Sequence, residues 1–190
     1  MFFRIRQARI EPFALTMAAA SMGERVLQIG LDDPGLASAL AAKTGLSGTA
    51  VLVIDNEPDA ARANHAAGRA GVFLDVRVTP LDALPFEDAS FDLIVVHAMR
   101  GLRASSEQKS REGVLREAYR VLRPGGRGVV IESAPRAGLA GLLRGQTAGE
   151  DHSAAEDLLK AAGFHPVRLL AVREGYRFTE GLKSAAGSRQ

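Results

Sequence analysis

The 190-residue sequence contains no cysteine. That removes disulfides, thiolate metal sites and any thiol nucleophile at once, and it agrees with a reducing cytoplasm without requiring one. Long apolar runs are missing too: none approaches the roughly 20 residues that a membrane helix needs. The opening residues, MFFRIR, lack a basic stretch followed by a long apolar core, so no signal peptide is expected. Charge of one sign is also scarce. Lys and Arg number 24 against 22 Asp and Glu, a formal charge of +2, and the basic residues are dispersed. A nucleic-acid partner is therefore neither demanded nor excluded. No internal repeat or low-complexity linker is visible, so residues 1–190 are expected to form one domain.

What is present is an alternation of short apolar runs and amphipathic stretches. Residues 26–30, 50–54, 76–78, 91–96 and 129–131 read as strands, and 91–96 (FDLIVV) is the nearly continuous kind buried on both faces of a parallel sheet. Residues 36–43, 58–68, 107–122 and 154–162 read as helices. In the third, Val114, Leu115, Ala118, Val121 and Leu122 recur at helical spacing. Arg123-Pro124-Gly125-Gly126 reads as a turn closing that helix. Residues 167–172 and 176–179 leave no room for a crossover helix and are expected to pair as an antiparallel hairpin on the sheet edge. Residues 1–22 are expected to form a helical extension across the sheet, and 134–151 a loop or lid. The fold expected is α/β: a three-layer αβα sandwich around a mostly parallel seven-stranded sheet. Such a sheet binds ligands at the carboxyl ends of its strands, near the switch in strand order.

Four segments at or near those ends carry a resemblance. They are Glu24-Arg25-Val26-Leu27-Gln28-Ile29-Gly30, Val53-Ile54-Asp55-Asn56, Leu84-Pro85-Phe86-Glu87-Asp88-Ala89-Ser90-Phe91-Asp92, and Glu117-Ala118-Tyr119-Arg120-Val121-Leu122-Arg123-Pro124-Gly125-Gly126. In this order and spacing, with Ala162-Gly163-Phe164 later, the chain resembles the Rossmann-like class I S-adenosylmethionine-dependent methyltransferases. The likeness covers about residues 10 to 183, and its nearest flavour is the small-molecule branch that includes quinone methyltransferases.

The resemblance implies S-adenosylmethionine as cofactor and a small-molecule acceptor. It implies cofactor contacts from Gly30, Asp32, Gly35, Asp55, Asn56, Leu81 and Asp82, with Asp55 on the ribose hydroxyls. His97, at the end of the fourth strand, is the candidate catalytic base. Each has a plainer reading. Asp32 and Asp33 read as helix N-caps, Asp55 as an N-cap or strand-end acid, Asp82 as loop polarity, and His97 as a buried strand-end histidine. His65, His152 and His165 have no suggestive partners, and Asp32 and Asp33 have no further ligands at metal spacing. Arg100, Arg103 and Arg111 read as solvated surface or as a guide for an anionic substrate.

The sequence also departs from the pattern. The family's first loop reads acid-x-Gly-x-Gly-x-Gly, where this chain has Gln28, Ile29, Gly30, Leu31, Asp32, Asp33 and Pro34. Only the first glycine is kept, Gly35 comes one place late, Asp32 brings a negative charge to the cofactor's amino-acid end, and Pro34 lacks a backbone N–H. Pro80 replaces the acid after strand three, with Asp82 two residues on. Hence a second expectation: a non-catalytic member of the fold that serves as a binding or scaffolding partner. A protein partner or homodimer is left open. The absence of cysteine excludes the thiol route to pyrimidine carbon methylation, and no Asn/Asp-Pro-Pro-Tyr motif suggests amino methylation of adenine or glutamine. A nicotinamide-dependent reductase is disfavoured because no Gly-x-Gly-x-x-Gly follows the first strand.

Overall fold

A computed structural model describes residues 11–97, 107–133, 154–173 and 175–185. Helix α1 spans Glu11–Ala18, strand β1 Arg25–Ile29, α2 Pro34–Thr44, β2 Thr49–Ile54, α3 Glu57–Ala70, β3 Asp75–Val78 and β4 Phe91–Val96. Next come α4 (Glu107–Val121), β5 (Leu122–Ser133), α5 (Ala154–Ala161), β6 (Val167–Arg173) and β7 (Tyr176–Leu182). The sheet order is β3-β2-β1-β4-β5-β7-β6. β1 to β5 pair in parallel, and β7 runs antiparallel between β5 and β6. The expected edge hairpin is therefore formed, with its second strand innermost.

Strands without polar alternation need cover on both faces, and two helical layers supply it. On one face Leu27, Ile29, Val51, Val53, Ile94 and Val96 pack against Val114, Leu115 and Ala118 of α4 and Leu158 and Leu159 of α5. On the other, Val26, Leu93 and Val95 meet Ala14 and Ala18 of α1 and Leu36 and Leu40 of α2. Leu52 and Ile54 meet Leu31, Ala37, Ala60 and Ala63 beside them. Each fully buried Leu or Ile contributes roughly 1.5–3 kcal/mol of transfer free energy.

Phe164 closes the α4 face. A Cβ added to Gly181 or Gly128 would lie 2.7 or 2.9 Å from it. Its ring meets Tyr119 edge-on with centroids 5.1 Å apart. Two strand glycines thus make a slot for one aromatic ring, an arrangement that sequence periodicity does not announce.

The Arg123–Gly126 turn differs from its expected form. It does not separate helix from strand but lies within β5 as a bulge, where pairing to β4 jumps from Leu122 opposite Phe91 to Arg127 opposite Leu93. The bulge pairs with the segment that follows β7. Gly125, at φ 75°, donates its N–H to the Lys183 carbonyl at 2.8 Å, and the Lys183 N–H returns a bond to Gly126 at 2.9 Å. The Lys183 ammonium also donates to the carbonyls of Tyr119 and Leu122, both at 2.7 Å, which caps the open end of α4. Burial pushes that ammonium below the ordinary lysine pKa.

Of the expected extension at 1–22, α1 is described and packs against α2 and β5, whereas residues 1–10 lie outside the described residues. So do the expected loop at 134–151, Arg100, Arg103 and His152. Among the described residues no helix is long and apolar enough to cross a membrane.

Candidate active site

The strand order reverses between β1 and β4: β2 and β3 lie on one side, β5, β7 and β6 on the other. A crevice forms outside the carboxyl ends of the strands at such a reversal, because the connections leave in opposite directions. Gly30 follows β1 at that point and His97 follows β4. The His97 N–H donates to the Ile29 carbonyl at 2.8 Å, and the Gly30 N–H to the Val53 carbonyl at 2.8 Å. The tips of β1, β2 and β4 are thus tied together one residue past their ladders. Gly30 is buried with φ 80°, a conformation that side chains rarely adopt. His97 is fully buried.

Asp33 caps α2. Its Oδ1 accepts the Gly35 N–H at 2.9 Å, and Pro34 occupies the first turn. Of the two acids read as caps, Asp33 fills that role, with Asp32 half-buried beside it. Leu31 leaves the strand tips and is buried with Leu52, Ile54, Ala60 and Ala63, so its bulk fills the sheet–α3 interface. Gln28 is nearly wholly buried. Its Nε2 donates to the Gly30 carbonyl at 2.9 Å, and its Oε1 has no partner among the described residues.

Beyond β2 the cap of α3 is Asn56, not Asp55. The Asn56 Oδ1 accepts the Asp59 N–H at 3.0 Å, while its Nδ2 donates to Asp55 Oδ1 at 2.8 Å and to Asp59 Oδ2 at 3.1 Å. Capping consumes Asn56 and leaves Asp55 exposed at the strand end, held on one oxygen. The carboxylate that could accept a diol is therefore the one not spent on the helix.

Past β3, Thr79 donates its N–H to the Ile54 carbonyl at 2.9 Å. Leu81 is half-buried against the α4-side core and Asp82 is exposed. A Cβ on Gly113 would come within 3.0 Å of the Asp82 Cβ, so α4 lets this segment lie close only because residue 113 is glycine. The segment is anchored below. Arg120 donates to the carbonyls of Phe86 at 2.8 Å and Leu84 at 3.1 Å, and to Glu117 and Asp88. Glu117 in turn accepts the Leu84 N–H at 2.8 Å. The Arg120 bonds hold the Glu117 carboxyl below the ordinary glutamate pKa. The sequence reading noticed Glu117 and Arg120 only as part of a motif; their loop-holding role has no periodic signal.

An open groove of about 690 Å³ runs along the helices from Asp33 and Gly35 past Ala39 to Lys43 and Arg69. It shares the start of α2 with the strand-tip residues. Among the described residues no cluster of His, Asp and Glu has the makings of a metal site.

A nucleotide-binding-type α/β sheet with its polar groups at the switch point is the class these features define. Comparison with known proteins makes it narrower. The family model described as "Methyltransferase domain" matches residues 27–130, more than half of the chain, and spans Gly30, Asp55, Asp82 and His97. The chain belongs to the methyltransferase domain family, the enzyme class whose methyl donor is S-adenosylmethionine. It is 32% identical over 122 residues to the ubiquinone/menaquinone biosynthesis C-methyltransferase of Escherichia fergusonii, covering 63% of this chain and 47% of that protein. To the protein of the same description from Geotalea daltonii it is 31% identical over 136 residues, 70% of this chain and 52% of the relative. The chain thus spans about half the length of the curated relatives it matches. Among solved structures, a SAM-dependent methyltransferase from Aquifex aeolicus superposes with TM-score 0.69 over 91% of both chains at 19% identity, which shows the shared fold.

Proposed function

We propose that this chain transfers a methyl group from S-adenosylmethionine to a small-molecule acceptor, and that a hydroxylated ring of the quinol type is the first acceptor class to test. The observation that carries the proposal is the sharing of one set of strand tips by Gly30, Asp55 and His97 inside the family-matched region. The acceptor class comes from the relatives, whose names place their chemistry on quinones.

The residues present fit the cofactor in two places. Asp55 is exposed and free on one oxygen to accept the ribose hydroxyls. Leu81 offers an apolar surface and Asp82 an acceptor for the adenine. The start of α2 is acidic, with Asp33 capping the helix and taking the Gly35 N–H. When bound, the cofactor supplies a sulfonium-activated methyl group for in-line displacement. This chain's task is to hold donor and acceptor in line, worth roughly 7–11 kcal/mol in favourable cases. Gly30 lets the backbone approach without a side chain in the way. His97 at the switch point takes a proton from the acceptor's hydroxyl or ring carbon.

The test is incubation with methyl-tritiated S-adenosylmethionine and a panel of demethylated quinols and phenols, with S-adenosylhomocysteine release as readout. Methylated product that falls at least tenfold in His97→Asn supports the assignment. Failure of S-adenosylmethionine and S-adenosylhomocysteine to bind at millimolar concentration defeats it.

A further inference from the structure

Four of the described arginines are buried or half-buried: Arg111, Arg120, Arg127 and Arg177. Two of them are satisfied within the fold. Arg120 is held by Glu117 and Asp88, and Arg127 donates to the Ala19 carbonyl. The other two are not. Arg177, only 7% exposed, has no hydrogen-bond or ion-pair partner among the described residues. Nor has Arg111, whose Nε is fully covered. A guanidinium drawn out of water with nothing to neutralise it is costly, and a ligand anion relieves that cost.

Both side chains belong to one layer. On β7, Gly181, Thr179 and Arg177 share the face that Phe164 packs against, and Arg177 stands opposite Glu132 of β5. On α4, Arg111 lies one turn before Val114 and Leu115, which are buried in that same layer. At its base the Phe164 ring meets Tyr119 of α4 and the Gly181 backbone of β7. From there Arg177 lies about 13 Å up the strand and Arg111 about 12 Å up the helix. The two thus stand at one level, at the carboxyl end of β5. Neither guanidinium is sealed in: the Arg111 Nη atoms and all the Arg177 nitrogens keep contact with solvent. Val172, opposite Arg177 on β6, is 42% exposed, so the sheet is open beside it.

The chemistry of the pair favours a carboxylate. Glu132 sets one negative charge against the two guanidinium groups, and one positive charge remains. A carboxylate carries a single charge, and its two oxygens match the planar guanidinium fork. The place suits an acceptor as well. β7 lies two strands, about 10 Å, from β4, at whose end His97 stands.

We propose that Arg111 and Arg177 form a carboxylate subsite for the methyl acceptor, which makes the acceptor a hydroxylated aromatic acid with its hydroxyl edge toward His97. This rests on the methyl-transfer reading given above and narrows its acceptor class from quinols to ring acids.

The test is calorimetric titration of the full chain, saturated with S-adenosylhomocysteine, with 3,4-dihydroxybenzoate and with its neutral counterpart 3,4-dihydroxybenzamide. The acid is expected to bind at least about tenfold more tightly than the amide. Arg177→Gln and Arg111→Gln are each expected to weaken the acid about tenfold and to leave the amide within about twofold. Because Arg177 has no partner to lose, Arg177→Gln is expected to melt at the parent's temperature or above it. Equal binding of acid and amide by the unaltered chain overturns the inference and leaves methyl transfer to neutral acceptors intact. A lower melting temperature in Arg177→Gln with an unchanged acid-to-amide ratio makes Arg177 a structural residue and also overturns it. If S-adenosylhomocysteine does not bind, the methyl-transfer reading fails, whereas a preference for the acid that Arg177→Gln abolishes still supports the carboxylate subsite.

Discussion

The two ends of the β-sheet handle polar groups in opposite ways. At the amino end, Asp92 at the start of β4 has both oxygens engaged. Oδ2 accepts the Arg25 N–H at 2.7 Å and Arg25 Nε at 3.2 Å, and Oδ1 accepts Arg123 Nε at 2.5 Å. Burial works to raise the Asp92 pKa, but the bonds from the Arg25 side chain, the Arg25 N–H and Arg123 outweigh it and bring it to about 2. The Glu117–Arg120 pair on α4 is equally saturated. At the carboxyl end, Asp55 and Asp82 are exposed, and Gln28 Oε1 and Asp33 Oδ2 are buried without donors among the described residues. Polar groups that hold a fold find partners within it. Groups left wanting a partner at a strand-order reversal are what a ligand completes.

Substitutions at the amino end and in the core should therefore cost stability and spare binding, with the reverse at the tips. The largest stability loss is expected from Phe164→Ala, which empties the slot between Gly128 and Gly181: about 3–5 kcal/mol in a denaturant titration. The affinity of the folded fraction for S-adenosylhomocysteine should stay within about twofold, since distant sites behave independently.

Arg120→Met comes next. It strips donors from the Leu84 and Phe86 carbonyls and leaves Glu117 half-buried without its partner, for an expected loss of about 2–3 kcal/mol. Because the released segment carries Leu81 and Asp82, this variant should also weaken ligand binding. It is the one substitution expected to move both readouts, and a binding constant equal to the parent's would show that the segment positions itself.

Asp92→Asn is expected to cost about 1–2 kcal/mol at neutral pH. The pH dependence follows from the direction of the shift. The Asp92 pKa lies lower folded than unfolded, near 2 against an ordinary 3.8, so its contribution is present above pH 3.8 and is lost as the pH falls toward 2. Parent and variant stabilities measured across that window should converge on acidification. Parallel curves would remove Asp92 from the account.

The smallest stability effect belongs to Asp55→Ala, within about 0.5 kcal/mol because the side chain is exposed and the α3 cap is Asn56. Its effect on affinity for S-adenosylhomocysteine should nevertheless be at least about tenfold, the loss of two charge-assisted hydrogen bonds from the ribose. A variant that melts early and binds normally would invert the comparison.

The layered architecture was legible in the sequence because buried parallel strands are uninterrupted apolar runs and α4 has a clean helical stripe. Val114, Leu115, Ala118, Val121 and Leu122 all lie in the core as their spacing requires. The bulge in β5 was not legible. Pro124-Gly125-Gly126 looks like any turn, and the Lys183 backbone that pairs with it lies far along the chain. Capping was half legible. Asp-Asp-Pro and Asp-Asn-Glu-Pro each announce a helix start, but which residue caps is decided by local backbone geometry, and it fell to Asp33 and Asn56. The candidate site was placed by topology alone, whereas the unpartnered oxygens of Gln28 and Asp33 depend on packing around them that no spacing encodes.

The most direct measurement is an amide-resolved NMR titration of the full chain with S-adenosylhomocysteine. The account predicts saturable shifts centred on Gly30, Asp55, Leu81, Asp82 and His97, with the amides around Asp92 and Arg123 still. Shifts confined to the outer faces of α2 and α3, or none at millimolar ligand, would contradict it.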